Sequence, residues 1–163
     1  MTRWGFDKMG TLIRYPDNVV LAEIIRLGCD FIALSQYSHI AYDYHAVIKS
    51  LAHFCSHRDE FYVAAVIDDN TVMAFFLGKR TPYWFADNYY VASDLIIYVS
   101  PKYRGAKLSK SLINDFTDWA KSFGCITDII LGSTASHHPE RAAKFYQHVG
   151  FQPFGLVCRK VGV

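Results

Sequence analysis

The sequence has no long apolar run and no close pair of cysteines. No stretch reaches the roughly 18 apolar residues that a membrane-spanning helix needs, and residues 1–5 contain no apolar signal segment. The four cysteines stand at positions 29, 55, 125 and 158, without any Cys-x-x-Cys spacing. These absences predict a cytoplasmic protein with reduced thiols and no membrane partner, and they leave a disulfide-linked fold as the less favoured alternative.

A basic block, a metal-ligand cluster and an internal linker are missing as well. The formal net charge is +2, without the Lys/Arg stripe of a duplex-binding protein, so nucleic acid is not the expected partner. His53, Cys55 and His57 would spread around a helix, and no second ligand pair lies elsewhere at zinc spacing, so no metal site is predicted. No repeat or Pro/Gly/Ser-rich linker divides the chain, which predicts one domain over residues 1–163.

Apolar residues are abundant (52%) and include twelve Phe and eleven Tyr, which is enough to bury a core. Apolar periodicity predicts strands over 10–15, 60–67, 71–78, 94–99, 126–131 and 154–161. It predicts a first helix capped by Asp17 and further helices over 43–54, 106–122 and 139–148, with an aromatic-rich loop over 81–90. The order β-α-α-β-β-β-α-β-α-β indicates an α+β fold with a mixed sheet, in which residues 94–131 form a parallel crossover.

The sharpest local signal is a strand that passes through a proline turn into a helix. It reads Tyr98-Val99-Ser100-Pro101-Lys102-Tyr103-Arg104-Gly105-Ala106-Lys107-Leu108-Ser109. A helix N-terminus exposes N–H groups and a partial positive charge, and small residues let a phosphate approach them. Several basic residues crowd this positive end, where they would be repelled in the absence of an anion. The pattern indicates a pyrophosphate site, with an ordinary strand–turn–helix connection bearing solvated charges as the alternative.

Two motifs of this chain resemble those of the GNAT N-acetyltransferases. The acetyl-CoA signature of that family is similar to Val99-Ser100-Pro101-Lys102-Tyr103-Arg104-Gly105, and its second mark is similar to Phe145-Tyr146-Gln147-His148-Val149-Gly150-Phe151. Lys107 stands where the family usually has Gly, and Pro139 where many members have Asn. Further stretches resemble a phage- and bacteria-associated subgroup, whose phage-encoded members would act in the host cytoplasm: Ser35-Gln36-Tyr37-Ser38, Asp94-Leu95 and Asp118-Trp119-Ala120.

The resemblance implies a fold and a cofactor site. The fold would be GNAT-like α+β, with a central mixed sheet of about six to seven strands flanked by about four helices. The co-substrate would be acetyl-CoA, whose pantetheine would pair with Tyr98 and Val99. Its pyrophosphate would lie on the start of the following helix, at Arg104, Gly105, Ala106, Lys107, Leu108 and Ser109.

The reaction that the resemblance implies is acetyl transfer to an unidentified primary amine by direct attack. Tyr146 would be the general acid for the departing thiolate, since a phenol with a pKa of about 10 stays protonated near neutral pH. Its alternative role is that of a core residue beside Phe145. A backbone N–H near Val99 would hold the oxyanion.

The general base is less sharply defined by the sequence. Asp94 would draw the amine proton through a water, or it would instead pair with the backbone at the start of a strand. Glu140 and His137 or His138 are the alternative bases, because they lie beside the start of the last helix.

The acceptor side of the predicted cleft is aromatic. Tyr37, Ser38, Tyr42 and Trp84 would frame it, and the aromatic stretch 83–90 would serve either as a substrate wall, as a homodimer contact or as cover for the core. Two other functions stay open. One is a catalytically inactive interaction module with the same fold, for example in a virion, and the other is a nucleobase-modifying enzyme acting on DNA.

Overall fold

The structure is a computed structural model and describes residues 10–133, 135–136, 138–155 and 157–160. Within these ranges it has five strands and four α-helices, and the α+β class and the mixed sheet are confirmed. The strands are β1 (Thr11–Arg14), β2 (Phe61–Asp68), β3 (Thr71–Tyr83), β4 (Ala86–Val99) and β5 (Ile126–Ile130). The helices are α1 (Asn18–Ala33), α2 (Tyr44–Ser56), α3 (Ala106–Lys121) and α4 (Pro139–His148).

The five strands form one sheet in the order β1-β2-β3-β4-β5. Neighbouring strands are antiparallel except for β4 and β5, which are parallel and joined by α3, as the predicted crossover requires. A 3-10 turn over Pro101–Tyr103 leads from β4 into α3.

Aspartate side chains start the first two helices. The carboxylate of Asp17 accepts hydrogen bonds from the N–H groups of Val19 and Val20, each at 3.1 Å, and that of Asp43 accepts one from Ala46 at 3.0 Å. These bonds satisfy N–H groups that have no carbonyl partner within the helix. The helices α1 and α2 therefore begin where the sequence predicts.

Helices cover both faces of the sheet. The apolar stripes of α1 and α2 pack on one face, through residues such as Ile24 and Leu51, against Phe75 of β3. The opposite face is covered by α3, whose Phe116 stacks on Phe76 with ring centroids 4.5 Å apart, and part of α4 packs beside it. The two faces of the central strands thus bury two separate apolar clusters.

The predicted number of strands is wrong for the described part of the chain, which has five. The predicted last strand over 154–161 is not formed at its described residues, although Leu156 and Val161 lie outside the described residues. Phe154 is 84% exposed and Val157 81% exposed. An apolar segment becomes a strand only where a sheet edge satisfies its backbone, and these residues show no such pairing.

The predicted loop over 81–90 is also wrong, because these residues belong to a β-hairpin. Thr81 pairs with Val91 and Pro82 with Tyr90, and Trp84-Phe85 form the two-residue turn. Tyrosine and phenylalanine favour strands, and here that preference prevails although neither turn residue is Gly or Asn.

An irregularity in β4 separates its two halves. Leu77 of β3 pairs with Ile96, whereas Gly78 pairs with Asp94, so Leu95 is an extra residue that forms a β-bulge. The pairing with β5 runs only from Tyr90 to Ser93. Beyond this point β4 and β5 separate, and the edge of β4 over residues 94–99 borders an open cleft.

Candidate active site

Asp94 lies where the β4–β5 ladder ends. The last parallel pair joins Ser93 to Ile130, and the next N–H group to reach β4, that of Gly132, donates to Oδ1 of Asp94 at 2.7 Å. A side-chain carboxylate thus takes the place of a backbone carbonyl. Because that oxygen stands out from the strand, β5 and the chain after it are held away from β4, and the cleft opens there.

Tyr146 of helix α4 contacts Gly132, the residue that also bonds Asp94. Its hydroxyl donates to the carbonyl oxygen of Gly132 at 3.2 Å, while its ring is half-buried between Phe145 and Phe151. Burial raises the pKa of Tyr146 above its ordinary value, and the negative charge of Asp94 raises it further. The phenol therefore keeps its proton at neutral pH.

The environment of Asp94 makes it a stronger base than an ordinary carboxylate. Burial raises the pKa of Asp94 to about 6, and the hydrogen bonds from the N–H groups of Gly132 and of Asp94 itself offset part of that rise. A carboxylate with this pKa is ionised at neutral pH and accepts a proton more readily than an exposed aspartate does. The site thus brings together one proton acceptor and one proton donor.

A cleft of about 580 Å³ runs from this pair to the start of α3. One wall is the edge of β4 over residues 94–99, and the opposite wall comes from α4 and the chain before it, including Gly132, Arg141 and Tyr146. Arg104 and Ser109 line the far end. Half of the N–H and C=O groups along a strand edge face away from its partner strand, so this wall offers backbone hydrogen bonds to an extended ligand.

Strand β4 places the predicted pantetheine residues along this wall. Both Tyr98 and Val99 line the cleft. The Tyr98 side chain is only 6% exposed and contacts Phe31 and Phe75 on the α1 side of the sheet. It is therefore the backbone of Tyr98 that faces a ligand.

The start of α3 fits an anionic group. Among the described residues no side chain caps this helix, whose N-cap is Gly105 in an extended conformation. A Cβ placed on Gly105 would meet no described protein atom within 4 Å, so packing within the protein does not demand glycine here. The space is free for a phosphate to approach the backbone. Lys107 is exposed and Leu108 half-buried in the same turn, and the side chain of Ala106 lies outside the described residues.

A second pocket of about 430 Å³ lies between α1, α2 and the sheet. Tyr37 and Tyr42, two of the predicted acceptor-side residues, are among its walls. Leu95 and Ile96 line both this pocket and the cleft, so the two spaces meet at the bulge in β4, directly after Asp94.

The remaining predicted site residues are not all in the cleft or the pocket. Ser38 is exposed in the loop between α1 and α2, and Trp84 is 93% exposed at the tip of the β3–β4 hairpin; neither lines the cleft or the pocket. His138 lines the cleft, and its Nδ1 lies 3.4 Å from Oε1 of Glu140. Glu140 is exposed and outside the cleft wall, and His137 lies outside the described residues.

The match to a family model decides the class of protein. The model of the acetyltransferase (GNAT) family matches residues 26–151, which span the cleft, both its walls and the start of α3. The chain belongs to the GNAT acetyltransferase family. The predicted enzyme class, an acyltransferase, is thereby confirmed.

Solved structures of GNAT proteins share the fold at low sequence identity. Glucosamine-6-phosphate N-acetyltransferase from Arabidopsis thaliana is 15% identical, with a TM-score of 0.70 over 92% of this chain and 97% of its own. Aminoglycoside antibiotic 6'-N-acetyltransferase AAC(6')-IG from Acinetobacter haemolyticus is 15% identical, with a TM-score of 0.71 over 94% and 98%. AAC(6')-Iy in complex with a CoA bisubstrate analog is 17% identical, with a TM-score of 0.70 over 94% and 97%. No curated protein sequence matches significantly.

Two residues of the site were missed by sequence reasoning. Gly132 links Asp94 to Tyr146, and Arg141 adds a cation to the cleft wall. A glycine shortly after a buried parallel strand was a signal for the first, and a basic residue in the first turn of α4, one helical turn before Phe145, was one for the second.

Two kinds of feature are not found among the described residues. No group of three or more His, Cys, Asp or Glu in them could hold a metal ion. No helix in the described ranges combines the length and apolar character needed to cross a bilayer.

Proposed function

We propose that this GNAT protein transfers the acetyl group of acetyl-CoA to a primary amine by direct attack. The observation that carries the proposal is the meeting of two spaces at Asp94 and the bulge in β4. One is the cleft that ends at the open start of α3, and the other is the pocket between α1 and α2. Acetyl-CoA would extend along the first with its pyrophosphate at Arg104 and Gly105, and the amine would enter from the second.

The described residues supply each proton transfer that the reaction needs. The amine nitrogen bonds to the acetyl carbon while the carbon–sulfur bond breaks, so the amine must lose a proton and the thiolate must gain one. Asp94, with its pKa raised to about 6, accepts the amine proton directly or through a water. Tyr146, which keeps its proton at neutral pH, donates to the thiolate. N–H groups on the free edge of β4, in the stretch that ends at Val99, would stabilise the oxyanion.

The first experiment is calorimetric titration of acetyl-CoA into the wild-type protein and into Arg104→Glu. We expect micromolar binding to the wild type and a loss of at least about tenfold in the variant, because the reversed charge lines the pyrophosphate end of the cleft. Lys49→Glu is the matched control, since it makes the same charge change on the exposed surface of α2. No binding to the wild type would contradict the proposal and would favour a catalytically inactive interaction module.

The cellular setting belongs to the same proposal. All four cysteines lie in the described part of the chain and are free thiols, which supports a reducing cytoplasm, that of the host if the chain is phage-encoded. The exposed Trp84 and Phe85 support a homodimer contact. Light scattering of the wild type beside Trp84→Ser would test the dimer, and an unchanged monomeric mass in both would contradict it.

A further inference from the structure

The pocket between α1 and α2 has a composition that selects among amines. Its walls are almost entirely aliphatic or aromatic side chains, and its volume of about 430 Å³ lies within the range of small-molecule sites. Among these walls are the side chains of Ile24, Leu51, Phe54, Phe75 and Leu77. A pocket of this kind gains free energy when it removes apolar surface from water.

The pocket offers little counter-charge to a polycation. Asp43 is the one carboxylate that lines it in the described part of the chain. Its Oδ1 accepts the N–H of Ala46 at 3.0 Å and so caps α2. A second ammonium group that lies against the apolar walls, away from Asp43, would lose its hydration without gaining an ion pair, which is costly.

The wall of the pocket is fixed by close packing between α1 and the chain before α2. The hydroxyl of Tyr42 donates to the carbonyl of Ile25 at 2.8 Å, and a Cβ on Gly28 would come within 2.7 Å of that hydroxyl oxygen. Glycine in the middle of a helix weakens it, and here the reason is the close approach of Tyr42. The pocket is therefore a built cavity with a defined wall.

We infer that the acceptor is a monoamine with an alkyl or arylalkyl body, which lies in this pocket while its amino group reaches Asp94 at the bulge. The inference rests on the proposed function, since it assigns the acceptor of that same reaction. It follows from three observations: the apolar walls, the presence of a single carboxylate (Asp43, which caps α2) among the described lining residues, and the shared border with the cleft at Leu95 and Ile96.

The test compares amines of graded length and charge as acceptors of the acetyl group. From propylamine to hexylamine we expect kcat/KM to rise about two- to fourfold for each methylene that is buried. Phenethylamine should be accepted, whereas spermidine and an amino sugar should fall at least about tenfold below hexylamine. A flat series or a preference for the polyamine would overturn the inference.

Two alanines of α2 provide matched variants. Ala46 lines the pocket, so Ala46→Phe should lower kcat/KM for hexylamine at least about tenfold more than kcat/KM for propylamine. Ala52 is exposed on the same helix outside the pocket, so Ala52→Phe should change neither. Equal behaviour of the two variants would overturn the inference. So would faster transfer from octanoyl-CoA than from acetyl-CoA to methylamine, because the pocket would then hold the donor chain.

Calorimetry separates this inference from the proposed function. If no amine is acetylated, the proposed function fails, and hexylamine is titrated directly into the protein. Binding that is lost in Ala46→Phe and kept in Ala52→Phe would support the pocket as an apolar-amine site. Absence of hexylamine binding to the wild type would overturn it.

Discussion

Asp94 and Tyr146 hold the same residue from two sides, because one accepts the N–H of Gly132 and the other donates to its C=O. Asp94 comes from β4 and Tyr146 from α4, so a single residue after β5 fixes the spacing between the carboxylate and the phenol that we propose as proton acceptor and proton donor. A backbone group cannot change rotamer, which makes it a rigid spacer. The predictions below concern this arrangement, the open start of α3 and the contact of α3 with the first two strands.

Asp94→Asn should remove the acidic limb of the pH–rate profile. The pKa of Asp94 is raised to about 6, so the wild-type kcat/KM should fall as pH drops below this value, while the asparagine variant should be slower and lack that limb. Rates measured from pH 5 to 9 with a fixed amine check this. An unchanged limb in Asp94→Asn would remove Asp94 from the role of base.

Asp94→Asn should also change how the free energy of unfolding depends on pH. A raised pKa means that the folded protein binds the proton more tightly than the unfolded chain does. The contribution of Asp94 to stability is therefore fully present below about pH 4 and is lost as pH rises through about 6. Urea unfolding at pH 4.5 and 7.5 should show that Asp94→Asn lacks this component, and equal pH dependence in both proteins would contradict it.

Tyr146→Phe should lower turnover at least about tenfold and leave the affinity for acetyl-CoA within about twofold, because the hydroxyl acts on the leaving thiolate. Loss of its bond to Gly132 should cost about 0.5–1.5 kcal/mol of the free energy of unfolding. Tyr83→Phe is the matched control, since it deletes a hydroxyl that bonds Asp128 outside the cleft. Equal turnover in wild type and Tyr146→Phe would contradict the role of acid.

Gly105→Val should separate ligand binding from folding. The new side chain meets no described protein atom near its Cβ and the backbone here is extended, so the loss of stability should be limited to about 1 kcal/mol, the cost of an apolar residue at an N-cap. The same side chain fills the space through which a phosphate would reach the backbone, so the affinity for acetyl-CoA should fall at least about tenfold. Gly105→Ala should give an intermediate value. Calorimetry and thermal unfolding measure the two effects, and a matching loss of stability would contradict this separation.

Asp115→Ala should destabilise the fold, because its carboxylate ties α3 to the first two strands. It accepts two hydrogen bonds from the guanidinium of Arg14, at 2.7 and 2.9 Å, and one from the buried hydroxyl of Tyr62 at 2.6 Å. Leaving the Tyr62 hydroxyl without an acceptor should cost about 1–3 kcal/mol in the free energy of unfolding. In a Tyr62→Phe background the cost should be smaller. Urea unfolding of the four proteins measures this coupling, and additive losses would contradict it.

The pH dependence of this contact has the opposite sign to that of Asp94. Burial raises the pKa of Asp115, but the hydrogen bonds from Arg14 and Tyr62 outweigh burial, and the net pKa is lowered. Its stabilisation is therefore present above the ordinary pKa of an aspartate and is lost as pH falls through the lowered value.

Local signals predicted most of the elements. Asp17 caps the helix that it was expected to cap, the second helix begins directly after Asp43, and the strand–turn–helix that ends in α3 lies where the apolar run, the proline and the basic residues predicted it. The hairpin over 81–90 was missed because its turn, Trp84-Phe85, carries none of the usual turn residues. The strand predicted over 154–161 fails at its described residues because a strand depends on a partner that local pattern does not reveal.

The site was predictable only in part, for a physical reason. Asp94, Arg104 and Tyr146 stand in motifs, so their types and spacing mark them in the sequence. The link through Gly132 depends on how far β5 stands from β4, and the apolar pocket depends on the packing of α1 against α2. Such distances are set by tertiary packing, which no short segment encodes.

The bulge at Leu95 also changes which side chains of β4 face each side of the sheet. Ala92 packs with the cluster under α3, as do the odd-numbered Ile97 and Val99, whereas the even-numbered Ile96 and Tyr98 pack with the cluster under α1. The alternation of the strand therefore shifts phase by one residue at position 95. Beyond it both faces are covered, so the sequence reads as the continuous apolar run Leu95-Ile96-Ile97-Tyr98-Val99. Among the sequences of related chains, a phase shift of this kind within a strand would mark the position at which a sheet divides.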